Sequence, residues 1–240
     1  MVMPLWDDSP LKLPKLPLVT WGLIVANIVV FVVEAAAPAS WQAAFDAFAM
    51  TPTNITGAPI NLTPVPPYLT LVSYMFLHAN FWHLAGNMIF LWVFGDDVEE
   101  AMGPLRFIAF YIGSGIVAAL AFTATAPHSQ LPLVGASGAI AGVLAAYLMF
   151  RPCQKVSVFV PYILLWFVIR PVVRIDAFWV LGGWILLQFW SILVQTQDGV
   201  AYMAHVGGLI SGAALFPLMR YRAVRLFECF WPAEQRSAPS

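Results

Sequence analysis

Gly135-Ala136-Ser137-Gly138-Ala139-Ile140-Ala141-Gly142 opens an apolar segment that runs to about Phe150. Two readings compete for it. Small residues at the mouth of a membrane helix let neighbouring helices approach closely, and a serine hydroxyl there can bond back to the preceding turn. The same serine, met by a base from another helix, is a nucleophile. The rest of the chain decides between them.

Composition makes this a membrane protein. Of 240 residues, 61% are hydrophobic and 10% charged, against about 25% charged in a soluble domain. The mean hydropathy is +0.81. At roughly 20 residues per span there is room for about six or seven helices and no long soluble domain. The net charge of −1 leaves no basic footprint for nucleic acid. Cys153 and Cys229 are expected to stay reduced on the cytoplasmic side, and their spacing fits no metal or redox motif.

Apolar runs place helices over about 18–37, 70–94, 105–125, 134–150, 177–194 and 200–219. Ala35-Ala36-Ala37 would suit signal-peptide cleavage, but the first run exceeds the usual apolar core of about 7–15 residues, so it reads as a retained helix. Residues 38–69 form a long loop. Its Trp41, Phe45 and Phe48 recur at helical spacing, which predicts a short interfacial helix, and its proline-rich part from Pro59 to Pro67 is irregular. Two sequons there, at Asn54 and Asn61, carry little weight in a loop rich in Asn and Thr.

The positive charges set the topology. Lys12 and Lys15 precede helix one, Arg106 opens helix three, and Arg151, Lys155, Arg170 and Arg174 lie between helices four and five. Arg220, Arg222, Arg225 and Arg236 follow helix six, and none of the 11 cations falls in 38–69, 126–133 or 195–199. By the positive-inside rule both termini are cytoplasmic and those three loops are outside. A crossing by 156–169 would strand Arg170 and Arg174 outside, so that stretch is interfacial or re-entrant and the spans number six.

Helices two, four and six then all enter from the outer face. Ser137 and His205 lie a few residues into theirs, at similar depth. His83 and Asn87 join them only if helix two starts later than its apolar run suggests, and Pro66-Pro67 with His78-Ala79-Asn80 favour that. Gly138/Gly142 and Gly208/Gly212 form GxxxG faces beside the serine and the histidine, so close packing of helices four and six would bring hydroxyl and imidazole together. Histidine suits the role of base. No carboxylate is placed to orient it: Asp46 and Asp198 lie in outer loops, Asp96, Asp97, Glu99, Glu100 and Asp176 at the inner face, and Glu34 near the outer end of helix one. The expected chemistry is therefore a Ser137–His205 dyad. His83 and Asn87, four apart on one helix face, would donate to a developing oxyanion with the Ser137 N–H. Other readings stay open. Asn87 could bond across to a neighbouring helix, His78 reads as structural, and His78, His83 and His205 could hold a metal or haem, although H-E-x-x-H is absent.

These residues in this order resemble the rhomboid family of intramembrane serine proteases, over most of residues 18–219. The motifs are His83-Leu84-Ala85-Gly86-Asn87, Gly135-Ala136-Ser137-Gly138, Ala204-His205-Val206-Gly207-Gly208, and Glu99 with Gly103 after helix two. The resemblance implies an all-α, six-transmembrane-helix bundle with an interfacial first outer loop, of the bacterial type and residing in the cytoplasmic (inner) membrane. It implies Ser137 as nucleophile, His205 as base, His83 and Asn87 as oxyanion donors, Gly138 and Gly208 as the close-contact pair, and no cofactor or metal. The implied partners are single-span transmembrane substrates and the lipid bilayer, not nucleic acid. The expected organisation is a cytoplasmic segment 1–17, a membrane domain 18–219 and a cytoplasmic tail 220–240. Two departures stand out. Ala141 occupies the place where some relatives stack an aromatic on the histidine, and Trp41 is followed by Gln42, not Arg. A non-proteolytic channel, transporter or binding scaffold of the same fold is the alternative.

Overall fold

The computed structural model describes residues 3–7, 16–36, 38–57, 65–159, 171–194 and 200–230. Its helices are α1 (Leu18–Ala36), α2 (Pro38–Phe48), α3 (Pro52–Ile55), α4 (Pro67–Ser73), α5 (Phe81–Met102), α6 (Pro104–Thr125), α7 (Ser137–Phe150), α8 (Ala177–Leu193) and α9 (Tyr202–Met219). Three of them, α1, α6 and α9, are long and apolar enough to cross a membrane, and α7 and α8 are shorter apolar helices.

The centre is α7. Every residue from Gly138 to Tyr147 is buried. A helix that is apolar all round must be enclosed by others, and α5, α6 and α9 surround this one. Its 14 residues span about 21 Å, against roughly 30 Å for a bilayer's hydrocarbon core.

The expected helix over 70–94 is two pieces. After α4 and a 3-10 turn over Tyr74–Phe76 the chain runs extended, and α5 begins only at Phe81. Asn80 decides this start: its side chain accepts the His83 N–H at 2.9 Å, an N-cap. The helix also continues past Gly95, to Met102, because its acidic end has partners. The Glu99 carboxylate, 4% exposed, accepts the Val19 N–H at 3.1 Å and the Thr20 N–H and hydroxyl at 2.8 Å each. A side chain of α5 thus satisfies the orphan donors at the start of α1 and holds the two helices together. Asp97 pairs with Arg151 at 3.4 Å.

Two further expectations are corrected. The chain is not all-α. Strands β1 (Met3–Asp7), β2 (Lys155–Phe159) and β3 (Val172–Asp176) form an antiparallel sheet in the order β1-β2-β3, with Pro4 opposite Val158 and Val156 opposite Ile175. Each strand has five residues, too short to stand out in sequence, and β1 finds its partner far along the chain. The stretch 156–169 accordingly begins as strand β2, and residues 160–169 lie outside those described. The N-terminal strand is tied to the helices as well, since Asp7 accepts a hydrogen bond from the Tyr147 hydroxyl of α7 at 2.5 Å. Finally, Cys153 and Cys229 form a disulfide, with Cα atoms 6.2 Å apart. The tail folds back to make this possible, the Tyr221 N–H donating to Ala101 O and the Phe227 N–H to Met149 O. Compartment arguments from sequence carry no information about that proximity.

The helix expected around Phe45 and Phe48 is α2, joined to the bundle by the Ser73 hydroxyl donating to Phe48 O at 2.7 Å. The proline-rich segment over 58–64 and the tail beyond 230 lie outside the described residues.

Candidate active site

Ser137 is the first residue of α7 and follows Gly135, whose φ of 111° lies where only glycine is comfortable. The Gly135 N–H donates to Tyr74 O at 2.9 Å, which fixes the turn. His205 sits in the first turn of α9, 8% exposed. Its Nε2 is 2.8 Å from Ser137 Oγ.

Small faces make this approach possible. A Cβ on Gly208 would collide with the Gly138 carbonyl oxygen and lie 3.1 Å from Ala141 Cβ, and one on Gly212 would collide with the Gly142 backbone. The two GxxxG stretches are the crossing of α7 and α9. The crossing lies beside the serine on one helix and a turn after the histidine on the other, so it sets their separation.

His83 and Asn87 occupy the first two turns of α5. They reach the serine through Gly135. A Cβ there would lie 2.6 Å from His83 Cε1, 2.7 Å from His83 Nε2 and 3.6 Å from Asn87 Nδ2. Imidazole and carboxamide thus face the backbone two residues before Ser137. Asn87 Nδ2 is buried with no protein acceptor within hydrogen-bond reach. A buried amide group with a spare donor is costly unless something else accepts from it. Ser137, as the first residue of a helix, also has a backbone N–H without an intrahelical acceptor. These donors and the hydroxyl suit a carbonyl that becomes an oxyanion on attack.

His78 is fully buried and packs edge-on against His83, ring centroids 5.1 Å apart. Among the described residues no three His, Cys, Asp or Glu side chains gather where a metal ion could be held.

One contact has no counterpart in the sequence reading. His205 Nδ1 is 2.7 Å from Oε1 of Gln188, on α8. Trp184, one turn earlier, packs its ring against the imidazole at 5.6 Å and 40°, and Tyr202 meets it edge-on at 6.3 Å. Trp184 also packs against the small cluster that contains Ala141. The available signal was Gln188 itself, the one carboxamide in an apolar helix.

A family model described as Rhomboid domain matches residues 66–222, which include all four of these site positions. The chain belongs to the rhomboid family. It is 33% identical over 156 residues to Rhomboid protein 1, mitochondrial, of Saccharomyces cerevisiae, covering 60% of this chain and 40% of that one. It is 32% identical over 155 residues to Rhomboid protease AarA of Providencia stuartii, covering 59% and 52% respectively. It is 40% identical over 78 residues to Rhomboid protease GluP of Bacillus subtilis, covering 32% and 15%. The chain spans about half or less of the length of these relatives. As a rhomboid built on apolar helices it is an integral membrane protein.

Proposed function

We propose that this rhomboid is an intramembrane serine endopeptidase that cleaves transmembrane segments of single-span membrane proteins near the outer face of the bilayer. The observation that carries the reading is the 2.8 Å contact between Ser137 Oγ and His205 Nε2 in a largely buried setting. Ser137 Oγ attacks the scissile carbonyl carbon while its proton passes to His205 Nε2. The carbonyl oxygen becomes an oxyanion, and His83, Asn87 and the Ser137 N–H donate to it. The C–N bond then breaks, the proton on Nε2 moves to the departing amine, and an acyl-serine remains. Water, deprotonated by His205, hydrolyses that ester and returns the proton to Ser137.

The same reading assigns six spans, helix two being α5 and helix five α8, with both termini cytoplasmic and a bacterial inner-membrane location. It assigns residues 1–17 and 220–240 to cytoplasmic segments flanking a membrane domain over 18–219. The absence of Lys and Arg from 38–69, 126–133 and 195–199 supports that orientation, and the Cys153–Cys229 disulfide, a bond rare in a reducing cytosol, weighs against it.

The test is covalent labelling of the purified protein by a serine-reactive fluorophosphonate, run beside cleavage of a model transmembrane substrate. The wild type should be labelled at Ser137 and should cleave, while Ser137→Ala and His205→Ala should do neither and remain folded. Cleavage retained by purified Ser137→Ala refutes the mechanism. An unlabelled, inert wild type points to a non-proteolytic scaffold.

A further inference from the structure

We propose that Gln188 is the positioning residue for His205, holding the imidazole in the one tautomer that can accept a proton from Ser137. Its kinetic consequence rests on the protease reading; the tautomer itself does not.

The carboxamide's orientation follows from its other neighbour. Gln188 Nε2 lies 3.1 Å from the Trp184 carbonyl oxygen, one turn back on α8. A carbonyl only accepts, so the NH2 end must face Trp184 and the oxygen must face His205. That oxygen lies 2.7 Å from Nδ1. It too only accepts, so Nδ1 carries the proton. A neutral imidazole has one N–H, so Nε2 presents its lone pair, and Ser137 Oγ is 2.8 Å away. The donors run in one direction: Ser137 O–H to His205, His205 N–H to Gln188, Gln188 N–H to Trp184. In the opposite tautomer Nε2–H would point at the hydroxyl, and the site would have no base.

Burial makes the arrangement specific. Ala177, Leu181 and Gln188 are the buried residues of α8. The neighbours of Gln188 on that helix, Leu186, Leu187, Phe189 and Trp190, are exposed, as suits a lipid-facing surface. The one buried side chain in the second half of α8 is therefore a carboxamide, 6% exposed. Burying it is unfavourable unless both ends are bonded, and here both are. The same hydrogen bond that seats the second half of α8 on α9 also orients the base. Gln188 performs for His205 the orienting part of a triad's carboxylate, without its charge.

The experiment uses the full chain in detergent or liposomes, with Gln188→Met, which keeps length and removes the acceptor, and Gln188→Glu, which keeps an acceptor. Three quantities are read on folded, monodisperse protein: kcat and KM for a model transmembrane substrate, the rate of fluorophosphonate labelling, and the 15N signals of His205. Gln188→Met should lower kcat and the labelling rate about 10- to 100-fold, a share of the roughly 10²–10⁴ that a positioned base contributes, with KM within about twofold. Gln188→Glu should recover most of that loss. In the wild type His205 should be protonated at Nδ1, and Gln188→Met should mix the tautomers.

A role in helix packing alone predicts a lower melting temperature for Gln188→Met with the labelling rate per folded molecule and the His205 spectrum unchanged; that result overturns the proposal. If the wild type is not labelled at Ser137, the protease reading has failed, and the His205 spectra decide on Gln188. Loss of the Nδ1–H form in Gln188→Met supports it, and an unchanged spectrum overturns it.

Discussion

Replacing Gly208 with alanine puts a methyl group where α9 crosses α7. The new Cβ would lie 3.0 Å from the Gly138 carbonyl carbon and 3.1 Å from Ala141 Cβ, with the Gly138 oxygen nearer still. Ordinary carbon contacts lie at about 3.5–4.0 Å, and the backbone oxygen of Gly138 is the closest obstacle, so the helices must part by more than about 1 Å. Gly138 adjoins Ser137, and Gly208 is one turn from His205. The 2.8 Å contact between hydroxyl and imidazole would open to about 3.5 Å or more, where it ceases to be a hydrogen bond. A misplacement of about 1 Å costs on the order of 10²-fold in rate. Stability responds less. Overpacking costs about 1–3 kcal/mol, and the gain in helix propensity on replacing glycine returns about 1 kcal/mol of it. Gly208→Ala should therefore be folded, less stable by no more than about 2 kcal/mol, and about 100-fold slower in cleavage. Gly182→Ala is the control, because nothing lies within 4 Å of a Cβ there. It should gain up to about 1 kcal/mol and keep its rate. The assay is cleavage of a model transmembrane substrate beside thermal unfolding in the same detergent. Wild-type rate in folded Gly208→Ala would refute the reasoning, since the crossing would then not set the distance from Ser137 to His205.

Two other outcomes follow from single contacts. Asn87→Ala removes a donor that bonds nothing in the resting protein, so it should leave the melting temperature near wild type and lower kcat by about 10²–10³; steady-state kinetics with a separately determined KM checks this. Glu99→Gln replaces the carboxylate that accepts from Val19 and Thr20 with a neutral amide, which should cost about 1–2 kcal/mol. Thermal unfolding reads that loss, and a melting temperature equal to wild type would remove Glu99 as the clamp between α1 and α5.

Much of the site was legible in sequence because its parts carry strong local signals. A serine between glycines, a histidine before a second glycine face, and a histidine four residues ahead of an asparagine each stand out in an apolar chain, where polar groups are costly. The depth mismatch between His83 and Ser137 was also visible, and the cap at Asn80 that starts α5 two residues before His83 is its physical cause. Gln188 was missed for the opposite reason. One amide in an apolar helix has no partner until the fold supplies one, and nothing in the spacing from Trp184 or His205 announces it. The sheet and the disulfide went unread on the same ground: β1 pairs with β2 across more than half the chain, and Cys229 meets Cys153 only because the tail turns back.

The amino-acid sequence alone determined that this protein lives in a membrane and that Ser137, His205, His83 and Asn87 stand in its apolar runs, because those properties depend on composition and periodicity along the chain. Tertiary structure alone decided how far Ser137 stands from His205, which way the imidazole faces, and which group holds it. Those are distances between separate helices. They are set by steric contact between backbones at Gly138 and Gly208 and by one hydrogen bond from His205 to Gln188, and neither is a property of any single stretch.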